Sequence, residues 1–170
     1  DKALAKNIEM INSTYNSSSS AKAAAGAVVV ISTKDGSVLA ASNYPSYDQN
    51  LFATQYSQYS SDPGLPLLNR ALQGLYTPGS TFKPAVAVAA LDSGVINRSS
   101  TVYCNGVYTY YDDYRPKCTR HGHSGNIDVI TAIKWSCNIF FYDVGRRTTS
   151  DVYDAYAYKM GLGTRTGVEV

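Results

Sequence analysis

Ser80 and Lys83 are the residues whose types and spacing first suggest chemistry. They stand in Tyr76-Thr77-Pro78-Gly79-Ser80-Thr81-Phe82-Lys83-Pro84, where turn residues run into an apolar stretch, Ala85 to Leu91, of helical length. Pro84 has no N–H and is tolerated only in the first turn of a helix, so the helix is expected to start close to Ser80 and to stop at Gly94. One turn apart, a hydroxyl and an amine project from the same face. The positive end of the helix dipole favours a neutral amine and stabilises negative charge developing at the serine. A neutral amine beside a hydroxyl is a general base beside a nucleophile. Taken alone, the pair is more simply a capping serine and a solvated lysine.

What changes that reading is a second pair, Ser136 and Asn138, which follows in the same order some fifty residues on. Each has a plainer reading too: Ser136 as a helix cap, Asn138 as a local turn bond.

Elements have to carry these residues. Residues 1 to 16 place Leu4, Ile8, Ile11 and Tyr15 on one helical stripe. Ala25 to Ile31 is a continuous β-branched run, expected as a buried strand; Lys34-Asp35-Gly36 supplies a turn, and Val38 to Ser42 returns antiparallel. Residues 43 to 70 and 99 to 125 lack periodicity and read as long ordered loops, the second rich in tyrosine. The tyrosines between Tyr103 and Tyr114 read as rings capping a core edge, with glycan stacking as the sharper alternative. A helix is expected over Ile127 to Trp135 with Asp128 as a candidate cap, a buried helix from Ile139, and a third over Ser150 to Met160 that Gly161 stops. The architecture is thus α/β in the α+β sense, an antiparallel sheet flanked by helices.

The bounds are consistent with one domain. The chain has 170 residues with a formal net charge of +2 and 16% charged residues, too balanced to argue for a nucleic-acid partner. No stretch approaches the roughly 20 apolar residues that span a bilayer, so any anchor or export signal is expected outside this sequence.

Several blocks together resemble the penicillin-binding transpeptidases of the serine β-lactamase/D,D-peptidase superfamily. They are Asp35-Gly36 with Val38-Leu39-Ala40 and Ser42-x-x-Pro45-x-Tyr47-Asp48-x-Asn50; Asn69-Arg70-Ala71 through Lys83; His121-Gly122; Trp135-Ser136-Cys137-Asn138-x-Phe140-Phe141; and Gly161-x-Gly163-x-x-Thr166-Gly167. The resemblance covers nearly the whole chain and is closer to the high-molecular-weight transpeptidases than to β-lactamases, whose water-activating glutamate has no counterpart in Glu9 or Glu169. It implies a β-lactamase/D,D-transpeptidase-like fold, incomplete here, with residues 1–170 as the N-terminal portion of the domain. It implies peptidoglycan stem peptides and β-lactam antibiotics as partners, no cofactor, and a place on the extracytoplasmic face of a bacterial membrane. It further implies Ser80 as acylated nucleophile, Lys83 as its base, Ser136 as a proton shuttle and Asn138 as holder of the substrate amide and of Lys83. A β-lactam-sensing receptor domain, acylated without turnover, and a catalytically inactive fragment are the alternatives. The family's third motif, Lys-Thr/Ser-Gly, is missing. Arg165-Thr166-Gly167 falls in the glycine turn instead, so that motif is expected beyond residue 170, from the C-terminal part of the domain or a second chain.

Three cysteines remain. In an exported protein Cys104 and Cys118 read first as a disulfide closing the tyrosine-rich loop, then as thiols, then as zinc ligands with His121 and His123, Asp112 or Asp113 lying nearby. Cys137 is expected on the side away from Ser136 and Asn138, as packing; a dyad of Cys137 with a histidine would define a different enzyme class.

Overall fold

The computed structural model describes residues 1–15, 22–119 and 122–168. They divide into two compact units, Asp1–Tyr76 and Thr77–Val170.

In the first unit, helix α1 (Lys2–Tyr15) is followed by an antiparallel ladder of β1 (Gly26–Ile31) and β2 (Val38–Tyr44). The register pairs Gly26 with Tyr44 and Val30 with Ala40, and a bulge shifts it before Ile31 pairs with Val38. The turn closes as expected: Ser32 N–H donates to Ser37 O at 2.8 Å, Gly36 takes φ 77°, and the Asp35 carboxylate accepts from the N–H and hydroxyl of Ser37. Those hydrogen bonds, led by one from Ser32, hold Asp35 below the usual carboxylate range.

Three expectations need correction in this unit. The inward stripe of α1 is Leu4, Ala5, Ile8 and Asn12; Ile11 is exposed. Asn12 binds both polar groups of Ala23, at 2.8 and 2.9 Å, and so takes the place the stripe gave to Ile11. Strand β1 is not buried. Val28 to Ile31 are 42 to 55% exposed, because the described residues build only a two-stranded ribbon. Residues 43 to 70 are not all loop: after a 3-10 turn at Gln49–Leu51, helix α2 runs over Phe52–Ser61, and a single turn, α3, over Arg70–Gln73. The Asp48 side chain caps the entry by accepting from Asn50 N–H at 2.9 Å. Buried Arg70 donates to the carbonyls of Leu65 and Gly64 at 2.9 and 2.6 Å, which satisfies backbone groups the loop would otherwise strand.

The second unit opens with a 3-10 helix, Gly79–Phe82, that passes into helix α4 (Lys83–Asp92). Pro84 lies in its first turn, and Gly94 ends it with φ 74°. Strands β3 (Thr101–Cys104) and β4 (Gly125–Asp128) form a short antiparallel ladder; β3 lies in the stretch expected to be irregular, and β4 takes Ile127 and Asp128 from the start of the expected helix. Helix α5 (Val129–Trp135) follows, capped as expected by Asp128, whose carboxylate accepts from Thr131 N–H at 2.7 Å. Helices α6 (Asn138–Thr148) and α7 (Ser150–Lys159) complete the unit. The core lies where the alanine face of α4 meets α6: Ala87, Ala90, Ala132, Phe140 and Val144 are all within the same buried cluster. Small side chains on α4 let α6 approach closely and seat Phe140, which has no exposed surface. Mixed helices and antiparallel strands agree with the expected α/β class, as two separate two-stranded ladders. No helix among the described residues is long and apolar enough to cross a membrane.

Candidate active site

The 3-10 geometry governs how Ser80 meets Lys83. In such a helix the side chains at i and i+3 eclipse, and Lys83 N–H donates to Ser80 O to close that turn. Ser80 is exposed and Lys83 half-buried. In this first turn the Thr81 N–H donates to Pro78 O at 3.2 Å, which leaves the Ser80 N–H as the donor placed for an oxyanion.

Ser136 arrives by a different device. Helix α5 ends on it with φ 52° and ψ 44°, the left-handed region that a residue with a side chain rarely adopts. The reversal is closed by Cys137 N–H donating to Ala132 O at 2.9 Å, and helix α6 starts immediately at Asn138. Ser136 therefore turns both its carbonyl and its hydroxyl toward α4. The Lys83 amine donates to Ser136 O at 2.8 Å, lies 3.0 Å from Ser136 Oγ, and donates to Asn138 Oδ1 at 2.6 Å. It also stands 5.5 Å from the centre of the Phe141 ring. Asn138 Nδ2 donates to Lys117 O at 3.3 Å. Lys83, Ser136 and Asn138 thus meet across more than fifty residues of sequence, with Ser80 one turn away.

Burial holds the Lys83 amine below the usual lysine range, opposed by the nearby sulfurs of Cys118 and Cys137. The arrangement has a further consequence. A neutral amine has only two N–H groups, so it cannot donate to all three oxygens. One hydroxyl, that of Ser136 or of an approaching Ser80, must donate to the amine instead. An ammonium can donate to all three, so the same contacts hold the lysine once it has taken a proton.

The cysteines do not follow the disulfide reading. Cys104, Cys118 and Cys137 form no disulfide. Instead their sulfurs and a His123 ring nitrogen all lie within 4.8 Å of one another. His121, named in the expected ligand set, lies outside the described residues. Cys137, expected as simple packing, is the member of this cluster that spacing missed. The left-handed turn at Ser136 sends the side chain of Cys137 inward, on a different heading from its neighbours. Burial pushes its thiol up to about 12, so it is no thiolate nucleophile and a cysteine–histidine dyad is disfavoured. In the tyrosine-rich loop, Tyr108 is buried with its hydroxyl between Asp143 and Arg146, at 3.3 and 3.1 Å, in line with a ring capping the core edge. Tyr110, Tyr111 and Tyr114 are exposed.

The chain is similar to known proteins over most of its length. The penicillin binding protein transpeptidase domain family matches residues 26–170. The peptidoglycan D,D-transpeptidase MrdA of Escherichia coli K12 is 39% identical over 155 residues, covering 85% of this chain and 24% of that protein. The chain therefore spans about a quarter of that relative's length. A solved structure of Pseudomonas aeruginosa PBP2 in complex with WCK 5153 superposes with a TM-score of 0.72 at 38% identity, over 81% of this chain and 31% of that one. An imipenem acyl-enzyme complex of penicillin-binding protein A from M. tuberculosis gives a TM-score of 0.72 at 29% identity, over 82% and 34% of the two chains. With a family match from residue 26 onward and a lysine, serine and asparagine joined by hydrogen bonds, the chain belongs to the penicillin-binding protein transpeptidase family.

Proposed function

We propose that this chain supplies the acylating part of a peptidoglycan D,D-transpeptidase site. One observation carries the reading: the half-buried Lys83 amine is held by Ser136 and Asn138 one 3-10 turn from Ser80. Ser80 Oγ attacks the carbonyl of the penultimate D-Ala of a stem peptide while neutral Lys83 takes its proton. The Ser80 N–H stabilises the oxyanion. Collapse breaks the peptide bond, Ser136 relays the proton held by Lys83 to the departing D-Ala amine so that Lys83 is neutral again, and Asn138 holds the substrate amide. An amine of a neighbouring stem peptide then attacks the ester, which forms the cross-link and returns Ser80. A β-lactam acylates Ser80 by ring opening and stays attached. The substrate carboxylate and a second oxyanion donor would be met by a Lys-Thr/Ser-Gly strand from the C-terminal part of the domain or a second chain. Peptidoglycan places this chemistry on the extracytoplasmic face of a bacterial membrane.

The test is labelling of the full-length protein with a fluorescent penicillin, followed by peptide mass mapping. Label on Ser80, and its loss in Ser80→Ala, is the expected result; unlabelled protein, or label elsewhere, refutes the reading. Adding an acceptor amine separates a transpeptidase, which transfers a thioester or peptide donor to it, from a receptor, which keeps its acyl group.

A separate observation favours a metal centre beside this site: four ligand atoms of a zinc-type set, three sulfurs and one imidazole nitrogen, gathered within 4.8 Å. In tetrahedral zinc coordination, bonds of about 2.0–2.3 Å put neighbouring ligand atoms roughly 3.3–3.8 Å apart. Cys118 Sγ and His123 Nε2 already stand at 3.5 Å. We infer that Cys104, Cys118, His123 and Cys137 hold zinc. Metal analysis of protein purified without chelator should find one zinc per chain; less than a tenth of that overturns the assignment.

A further inference from the structure

Helix α6 carries Asn138, Phe141, Tyr142 and Gly145 on one face, at helical spacing. Asn138 holds the Lys83 amine, and that amine stands 5.5 Å from the centre of the Phe141 ring. From Phe141 onward the same face lines a groove of about 520 Å3. Phe82, Tyr111, Tyr114, Phe141 and Tyr142 give the groove aromatic walls, and Thr149 and Ser150 lie where it meets α7. Tyr111 and Tyr114 are 44 and 66% exposed, so their ring surface is open to a ligand. Among the described residues that line the groove, Arg146 alone is charged.

Arg146 is held in place by three contacts. Its Nε donates to the Tyr108 hydroxyl at 3.1 Å, its Nη2 donates to Asp143 Oδ1 at 3.0 Å, and the guanidinium lies 3.8 Å from the centre of the Tyr110 ring. Its other terminal nitrogen, Nη1, makes no hydrogen bond among the described residues. Asp143 also pairs with Arg147 at 3.5 Å, so two cations share one carboxylate and a positive charge is left over. A fixed, planar guanidinium with donors to spare is suited to a carboxylate. A neutral sugar ring would use the aromatic walls and leave that cation unanswered. Length narrows the choice further. Arg146 comes eight positions after Asn138, which is about 12 Å along the helix axis. An extended peptide covers that distance in roughly three to four residues, and the reach of the arginine side chain shortens it by about one. The leaving side of the scissile bond holds a single D-Ala, so only the other side of the substrate is long enough to fill the groove.

We propose that this groove binds the upstream part of the donor stem peptide, with aliphatic stems against the rings and a carboxylate, two to three residues before the acylated D-Ala, on Arg146; this rests on the transpeptidase reading above. Arg146 is a specificity-determining residue in this scheme. It touches the substrate and not the reacting atoms. The experiment uses the full-length protein and acetylated peptides ending in D-Ala-D-Ala. They come in pairs that differ only in a carboxylate or a carboxamide, placed two residues before the acylated D-Ala in one pair and three in the other. The readout is kcat/KM for release of the terminal D-Ala, expressed as the carboxylate-to-carboxamide ratio within each protein, so that a general loss of activity cancels. Wild type should prefer the carboxylate at least fivefold in one of the pairs. Arg146→Gln should bring that ratio below twofold, and Arg146→Lys, which keeps the charge without the planar fork, should retain a part of it. Ser150→Asp adds a negative charge to the groove at the first residue of α7, where an acidic side chain suits a helix. It should lower the ratio at least threefold.

A wild-type ratio below fivefold in both pairs, in protein that labels with penicillin at Ser80, overturns the groove and leaves the transpeptidase reading standing. A ratio that survives Arg146→Gln overturns the assignment of the carboxylate to Arg146. Because Arg146 also holds Tyr108, its glutamine variant can fail to fold; Ser150→Asp then decides, and an unchanged ratio overturns the proposal. Unfolding of Ser150→Asp shows that protein fills the groove, and likewise overturns it. Wild type that neither labels with penicillin nor releases D-Ala refutes the transpeptidase reading, and the groove's role with it.

Discussion

Replacing Asn138 by alanine tests the proposed base directly. Asn138 Oδ1 accepts from the Lys83 amine at 2.6 Å, the shortest of the three contacts that hold it. A hydrogen bond to a charged group contributes about 1.5–3 kcal/mol, and one between neutral groups about 0.5–1.5 kcal/mol. Lys83 must be neutral to start the reaction and gains a positive charge as the serine loses its proton. The bond to Asn138 therefore strengthens along the reaction coordinate and stabilises the transition state more than the ground state. At about 1.36 kcal/mol per factor of ten, losing the difference between the two, about 1–1.5 kcal/mol, slows acylation by roughly 5- to 13-fold. Alanine suits the first turn of α6, so the fold should persist. The assay is the single-turnover rate of fluorescent penicillin labelling. An Asn138→Ala rate within threefold of wild type, with Ser80→Ala inert, would refute the reasoning. Asn138→Asp sharpens the test through pH. A carboxylate against the amine stabilises the ammonium and raises its pKa, while catalysis needs the free base. The rising limb of the pH–rate profile must then move to higher pH, with slower labelling at pH 7 and recovery in alkali. In wild type that limb should have its midpoint below the ordinary lysine value of about 10.4, because burial lowers it. A limb that does not move with Asn138→Asp removes Lys83 from the role of base.

Other consequences can be measured independently. Ser136→Gly and Ser136→Ala lose the same hydroxyl, so their difference in stability isolates the left-handed backbone; glycine should be more stable by about 1 kcal/mol in urea denaturation, and equal midpoints would mean no strain is stored at φ 52°. Phe140→Ala empties the centre of the second unit and should lower stability by about 3–5 kcal/mol; a loss below about 1 kcal/mol would show that the α4–α6 core is not close-packed. Arg70→Met leaves the carbonyls of Gly64 and Leu65 without their donor and should cost at least about 2 kcal/mol, read as faster proteolysis between residues 62 and 70; unchanged cleavage would make those bonds incidental.

The sequence disclosed the residues of the proposed site better than the scaffold around them. Ser80, Lys83, Ser136 and Asn138 were legible because motif order and turn chemistry are local properties. A helix start close to Ser80 and the Asp128 cap followed from the same local rules, whereas the 3-10 winding of Gly79–Phe82 did not. Helix α2 escaped notice because Phe52–Ser61 is polar and carries no apolar stripe; its rings pack among themselves, Tyr47 against Phe52 and Tyr59 at 5.5 and 5.6 Å. Strands β3 and β4 escaped because four residues each are too few to show alternation, and their pairing joins Thr101 to Asp128 across an irregular stretch. Cys137 was placed correctly in the core but not in the cluster with Cys104, Cys118 and His123. Helical spacing could not foresee a left-handed reversal one residue earlier, and the three cysteines contain no closely spaced pair to announce a metal.

The tight winding from Gly79 to Phe82 has a bearing on which changes this region tolerates. At three residues per turn, the fourth side chain comes round to the bearing of the first; at 3.6 per turn it falls about 60° short. Lysine's long stem can absorb the extra rise of the narrower coil, but nothing in a serine can make up a missing arc. Substitutions at Gly79, which takes φ 54°, therefore act as a rotary adjustment of the nucleophile against its base, even though Gly79 itself meets neither substrate nor proton.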